Sequence, residues 1–279
     1  GQNYPVDVGI VSDARVALEA LAAALADHPG PRPDRAPHLA ELARLQAEWE
    51  GMLAPRRDSD DAPMTSQRPL RDLRAVMARD GIIVAGSGNT QGAVKQTFPV
   101  YGPRTHLTSG AYSSMGWAVP AAIGAKLACP DKQVACVVGD GDFMQTMQEI
   151  GVCATNDIPV VFVVQNNCGY MSIRGGQRKI MGRHVASEFN RTDGTPWSPD
   201  FTAVARAFGL EAFRCDTPDQ LEPAFAAAFA SGRPALVEVA TARDAAGPFV
   251  PGWWDFPVPA YVDEGQAEYW AERAEEQHL

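Results

Sequence analysis

Paired cysteines, long apolar runs and excess positive charge are all missing from this chain. Its five cysteines, Cys129, Cys136, Cys153, Cys168 and Cys215, are an odd, scattered set with no C-x-x-C pair. That excludes a disulfide framework and gives no thiolate zinc site, leaving most of them as small buried apolar residues. The longest apolar runs, such as Pro159 to Val164, fall far short of the roughly 20 residues a membrane-spanning helix needs. The N-terminus also lacks the charged-then-apolar pattern of a secretory signal, so the expected location is the cytoplasm. With 24 basic against 34 acidic side chains the formal charge is −10, and no basic patch offsets it. Neither nucleic acid nor an anionic membrane is therefore an expected partner.

No internal repeat is evident. What remains is ordinary: 46% hydrophobic and 21% charged residues over 279 positions, enough to bury one large domain or two modest ones. Val6 to Val11 reads as a strand, and Ser12-Asp13 could cap a helix from Ala14 to Ala26 with Val16, Leu18, Leu21 and Leu25 on one face. A second helix is expected from about His38 to Leu53. Residues 54–69, charged, proline-bearing and aperiodic, read as a linker, so that 1–53 would form a preceding piece and 70–243 the main domain.

From Leu70 onward short apolar strands alternate with helices. Strands are expected at Gly81–Ala85, Arg104–Thr108, Val134–Val138, Pro159–Gln165, Glu211–Cys215 and Ala235–Ala240. Helices are expected at Leu70–Arg79, Met115–Ala128, Phe143–Asn156, Phe201–Phe208 and Pro218–Ala230, with a long polar loop before Phe201. This alternation predicts an α/β fold, a doubly wound and mostly parallel sheet with helices on both faces. Residues 244–279, rich in proline and aromatics and then acidic, read as a C-terminal packing arm or an active-site lid, with Trp253 and Trp254 as its covering residues.

The chemistry concentrates in one stretch. Gly139-Asp140-Gly141 ends one apolar run and, after twenty-four residues, Asn166-Asn167 ends the next. A helix and a returning strand fill that interval, so Asp140 and Asn167 converge beyond the carboxyl ends of neighbouring strands, where open parallel sheets bind ligands. A carboxylate, an amide oxygen and a backbone carbonyl are hard donors suited to magnesium, and Gly141 with a helix start beside it suits a phosphate. The segment Gly86 to Gly92, GSGNTQG, has the outline of a dinucleotide fingerprint. Its third glycine is one place late for G-x-G-x-x-G, and no acidic residue follows convincingly.

GDG, a gap of this size and then NN resembles the cofactor fingerprint of thiamine-diphosphate-dependent enzymes, over about residues 66–242. The resemblance implies thiamine diphosphate and Mg2+ as cofactors, with Asp140, the Asn167 side chain and the Gly169 carbonyl on the metal. It places Gly88, Asn89 and Gln91 on the diphosphate side, and counts Gly139, Gly141, Asp142, Tyr170 and Met171 among the cofactor-binding residues. The segment Leu107 to Ala125, LTSGAYSSMGWAVPAAIGA, resembles the acetolactate synthase branch most closely. It implies that Met115 wedges under the cofactor and that Ser113 and Ser114 lie beside it, the Ser113 carbonyl taking a place usually held by glycine. Asp142 stands where many relatives carry serine; a second carboxylate near phosphate would repel it, so it is expected to turn away and cap the following helix.

The resemblance also implies an activating glutamate on a separate pyrimidine-binding domain, and no segment here matches it. The expectation is the C-terminal, diphosphate-binding half of a lyase or transferase, active only with a second chain or a preceding half, in a homo- or hetero-oligomer. Its substrate would be a 2-oxo acid, decarboxylated and ligated, or else a 2-hydroxyacyl-coenzyme A. A non-catalytic assembly subunit is the remaining alternative. Tyr170, Met171, Ile173, Arg174, Gln177 and Arg178, just after the motif, are the substrate candidates, with Trp253 and Trp254; the basic residues, on a loop beside the site, are suited to a carboxylate or a coenzyme A phosphate, and His184 reads as a surface histidine.

Overall fold

The computed structural model describes residues 6–28, 30, 33–243 and the isolated positions 271 and 274. Trp253, Trp254 and the proposed arm or lid lie outside the described residues. The chain divides into two compact units between Glu48 and Trp49.

In the first unit Asp13 caps α1 (Ala14–Ala26), its carboxylate accepting from the Arg15 and Val16 amides, as the Ser12-Asp13 pair suggested. The expected apolar face, Val16, Leu18, Leu21 and Leu25, is exposed. Val6–Val11 is not a strand: its valines and isoleucine are at least half exposed, and apolar alternation makes a strand only where a neighbouring strand accepts the ladder. The second helix, α2 (Ala36–Arg57), has the division between the units within it.

In the second unit residues 54–69 are not an open connector. Ala54–Arg57 complete α2, and Met64 pairs beside the sheet, its amide donating to the Ala240 carbonyl at 3.0 Å and its own carbonyl accepting from the Ala242 amide at 2.8 Å. Met64 is fully buried, and the buried Arg68 and Asp72 pair at 3.0 Å on α3 (Arg68–Val76). Of the charges in this segment Arg68 is the buried one, paired with Asp72 and with Asp60, while Asp58, Asp60 and Asp61 stay exposed.

Runs of branched residues bounded by glycine or proline become the strands β1 (Ile82–Ala85), β2 (His106–Thr108), β3 (Val134–Gly139), β4 (Val160–Asn166), β5 (Glu211–Cys215) and β6 (Ala235–Ala240). They form one all-parallel sheet in the order β2-β1-β3-β4-β6-β5. Between them run α4 (Asn89–Thr97), α5 (Ala118–Ala128), α6 (Asp140–Thr146), α7 (Ile150–Asn156), α8 (Met171–Met181), α9 (Phe201–Ala207) and α10 (Leu221–Ala230). Alternate strand residues serve opposite layers. Ile83, Val137, Val163 and Val237 pack with Leu70, Leu73, Val94 and Phe225, whereas Val84, Cys136, Phe162 and Val164 pack with Val119, Ile123, Phe143 and Phe201. Both faces are covered, so the central strands read as continuous apolar runs. All five cysteines are free, and Cys136, Cys153 and Cys215 are buried.

The chain leaves β1 toward β2 and leaves β3 the opposite way toward β4, which puts a reversal point between adjacent strands β1 and β3. Ligands in open parallel sheets sit at such points, beyond the carboxyl ends. Among the described residues no helix is long and apolar enough to cross a membrane.

Candidate functional site

Three strand ends meet at that rim. β1 delivers Gly86, Ser87 and Gly88 to the start of α4; β3 delivers Gly139; β4 delivers Asn166 and Asn167. α6 begins at Asp140, three residues earlier than expected, so Gly139 is its N-cap and Asp140-Gly141-Asp142 forms the first helical turn, which carries two carboxylates at the positive end of the helix.

Asp140 is 1% exposed. One oxygen accepts from the Gly141 amide at 2.9 Å and the other reaches across to the Gly169 amide at 3.0 Å, joining the ends of β3 and β4. Burial pushes its pKa from the ordinary 3.8 up to about 6, even though these backbone amides favour the ionised form. Asp142 is also buried, but it does not cap its own helix. Its two oxygens accept from the Ser87 and Gly116 amides, each at 2.6 Å, which ties the loop after β1 and the turn before α5 to α6. That engagement corrects the expected cap: two loops brought in from elsewhere in the sequence supply better-placed donors than the helix does.

The two adjacent asparagines behave differently. The Asn166 amide donates to Ser198 Oγ at 2.7 Å and Glu238 Oε1 at 2.8 Å, and its oxygen accepts from the Cys168 amide at 3.2 Å. Asn167 Oδ1 is shut off from solvent with no hydrogen-bond partner among the described residues. A buried acceptor left bare costs about 1 to 3 kcal/mol, which calls for an additional donor or a cation. Among the described residues no three His, Cys, Asp or Glu side chains cluster to hold a metal by themselves. A cation here would take the Asp140 carboxylate, Asn167 Oδ1 and backbone oxygen, with further oxygens from its ligand, and that donor set fits magnesium.

Above these groups lies a cavity of about 330 Å³. Its lining brings together Gly88, Asn89, Ser113, Met115, Gly139, Asp140, Gly141, Asp142, Asn167, Gly169, Tyr170 and Met171, with Ser87, Thr90, Ser172 and Ile173. Gln91 and Ser114 do not line it: Gln91 bonds Thr108 and Ser113, and Ser114 is exposed. Ser113 sits in the left-handed region at φ 47°, where glycine is favoured, and its carbonyl already accepts from Ser87 Oγ at 2.6 Å. Gly141 faces the Tyr170 ring, where an added Cβ would lie 2.7 Å from Cδ1; Tyr170 in turn packs edge-on against Phe189, centroids 4.8 Å apart. Gly169 is hemmed in by backbone, the Ser187 carbonyl lying 2.6 Å from where its Cβ would stand.

The stretch after Tyr170 is a helix, α8, not a loop, and only its first turn, Met171, Ser172 and Ile173, reaches the cavity. Arg174 is buried and ion-paired with Glu188. Gln177 holds the Val185 backbone and Ser187, and Arg178 donates to His184 Nδ1 at 3.2 Å. Arg174, Gln177 and Arg178 are thus outside the cavity lining, and the basic loop that left a coenzyme A phosphate open does not exist as such. His184 stands 3.4 Å from Glu188. Sequence reading overlooked Glu188, Ser172 and Arg243; for Arg243 the available signal was a charged residue just past the carboxyl end of β6, on the ligand-binding rim.

Residues 86–239 match a family described as "Thiamine pyrophosphate enzyme, C-terminal TPP binding domain". The chain belongs to the thiamine pyrophosphate enzymes. Among its relatives, a probable acetolactate synthase large subunit of Methanococcus aeolicus is 30% identical over 260 residues, covering 90% of this chain and 42% of that protein. A pyruvate oxidase of Lactiplantibacillus plantarum is 28% identical, covering 88% of the chain and 39% of that protein. A thiamine diphosphate-dependent 4-hydroxybenzoylformate decarboxylase of Rhodococcus jostii RHA1 superposes with a TM-score of 0.61 at 28% identity, over 67% of this chain and 34% of that one. The chain therefore spans about two fifths of the length of the curated relatives it matches. In this thiamine pyrophosphate enzyme the matched span starts at Gly86, where β1 opens into the cavity, and ends in β6, so it contains both strand ends that present Asp140 and Asn167.

Proposed function

We propose that the chain holds thiamine diphosphate through a magnesium ion at the β3–β4 rim, as the diphosphate-binding half of an acetolactate-synthase-like enzyme. The overall reaction would be decarboxylation and carboligation of a 2-oxo acid. The observation that carries the reading is that the buried Asn167 Oδ1, without a hydrogen-bond partner among the described residues, belongs to the same cavity lining as Asp140, in a chain whose family binds this cofactor. Asp140, Asn167 Oδ1 and the Gly169 carbonyl would hold the cation, and the amides opening α4 at Gly88 and Asn89 would meet the diphosphate. When bound, the cofactor supplies the electron sink that lets a bond beside a carbonyl break or form. Met115, 47% exposed at the cavity, would support its ring system, while Tyr170 and Ile173 would wall the site and limit water.

The glutamate that starts proton transfer would come from a pyrimidine-binding unit, on a partner chain or on further sequence, so the working enzyme would be an oligomer or a composite in the cytoplasm. The 2-hydroxyacyl-coenzyme A reading loses its support, because the arginines that would have met a phosphate are engaged along α8 and away from the cavity. A panel assay tests the proposal. The purified 279-residue chain should show no turnover alone, and should convert pyruvate once a pyrimidine-binding unit with its glutamate is supplied. Full turnover by the chain alone, or cleavage of 2-hydroxyacyl-coenzyme A with none of pyruvate, would overturn it.

A further inference from the structure

Arg243 follows β6 by three residues and belongs to none of the motifs above. Its guanidinium gathers acceptors from two loops. Nε donates to the Asn167 carbonyl at 3.1 Å; Nη2 donates to the carbonyls of Cys168 at 3.0 Å and Phe189 at 3.1 Å, and to Asn190 Oδ1 at 2.8 Å. Nη1 faces Glu188 Oε2 at 3.3 Å, and the other Glu188 oxygen pairs with Arg174 of α8. A planar fork of five N–H groups can meet this set, and an ammonium cannot.

The peptide units so gripped are the ones that matter for the site. Cys168 has φ 56°, a left-handed conformation that is unfavourable for a residue with a Cβ. Such a conformation persists only where its surroundings over-determine it. Arg243 holds the carbonyl on each side of that residue, and so holds the turn connecting Asn167, whose Oδ1 has no partner among the described residues, to Gly169, whose amide meets Asp140. Through Phe189 the same guanidinium also backs Tyr170, the wall of the cavity.

We propose that Arg243 is a positioning residue for the cation: it presets the Asn167–Gly169 turn, so that divalent-cation affinity depends on an arginine that touches neither metal nor cofactor. This rests on the magnesium reading above. Replacing groups that orient metal ligands costs about ten- to hundredfold in metal affinity, and a shift of that size is expected in the magnesium half-saturation of thiamine diphosphate binding when Arg243→Gln is compared with the parent chain.

The test is calorimetric titration of the full chain, with amide hydrogen exchange of residues 167–170 measured without metal. Arg243→Gln should raise the half-saturation and speed that exchange. Arg243→Lys, which keeps the charge but not the fork, should do both to a smaller degree, and stands in if Arg243→Gln does not fold. Arg206→Gln serves as the control, since Arg206 braces Thr202 and the Ala212 carbonyl away from the cavity, and it should change neither reading. Unchanged magnesium dependence in both Arg243 variants, or an equal shift in Arg206→Gln, overturns the positioning role. The Asp140→Ala arm separates the two levels: magnesium dependence that survives there overturns the metal reading itself.

Discussion

Asp140 and Asn167 show how a site is prepared at the scale of single side chains. Each is held where its oxygen is costly unless something positive arrives, one as a buried carboxylate and the other as a bare amide oxygen. For Asp140 the cost has a pH signature. Its folded-state pKa of about 6 lies above the ordinary 3.8, so its contribution to the stability of the metal-free chain is complete below 3.8 and is lost as pH rises through about 6. About two units correspond to on the order of 2 to 3 kcal/mol. Chemical denaturation in the presence of a chelator should show that loss between pH 4 and 7, and Asp140→Asn should flatten it; an unchanged slope in the variant would assign the titration elsewhere. Gly169→Ala should destabilise the chain by about 1 to 3 kcal/mol, because its Cβ meets the fixed Ser187 carbonyl; a thermal melt equal to the parent would show that the turn yields. Asp140 and Asn167 were legible from spacing alone, because a helix and a returning strand fix where they emerge. The roles of Asp142 and Arg243 were not, since their partners, Ser87, Gly116 and the 188–190 segment, lie far away in sequence.

Among the elements, the strands of the second unit and most of its helices follow from hydrophobic period and bounding residues. The misreadings have local physical causes. α8 contains Gly175-Gly176, each costing about 1 kcal/mol against alanine in a helix, and so reads as loop. It persists because Met171 and Arg174 are buried and Gly182 ends it in the left-handed conformation. Nothing lies within 4 Å of a Cβ added at Gly175, so Gly175→Ala should stabilise the chain by about 0.5 to 1 kcal/mol, raising its melting temperature. A fall instead would mean that α8 needs that flexibility to form. Residues 54–69 differ for the opposite reason: the polar, aperiodic stretch around Asp58–Asp61 is exposed, but Met64 anchors the segment beside β6 and residues 64–69 are buried, with Arg68 paired to Asp72. Met64→Ala should cost about 2 to 5 kcal/mol in denaturant unfolding, whereas a free connector would lose nothing measurable.

At the scale of the whole molecule, the strand order explains why the chemistry lies where it does. A reversal between β1 and β3 opens a crevice at one rim, and β4 beside it delivers the second half of the clamp. The α/β class was readable from alternating elements; the order of the strands was not, because sequence records which segments are strands but not which ones are neighbours. In the first unit the helix Ala14–Ala26 and its Asp13 cap follow from the sequence, whereas Val6–Val11 carries strand-forming residues but has no ladder partner among the described residues. The central claim is that this rim binds thiamine diphosphate through a cation held by Asp140 and Asn167. Calorimetric titration of the cofactor into the chain, with and without magnesium, for the parent and for Asp140→Ala, tests it most directly. Binding that requires magnesium in the parent and disappears in Asp140→Ala is the predicted result; binding that is the same with and without magnesium, or that survives the substitution, would contradict it.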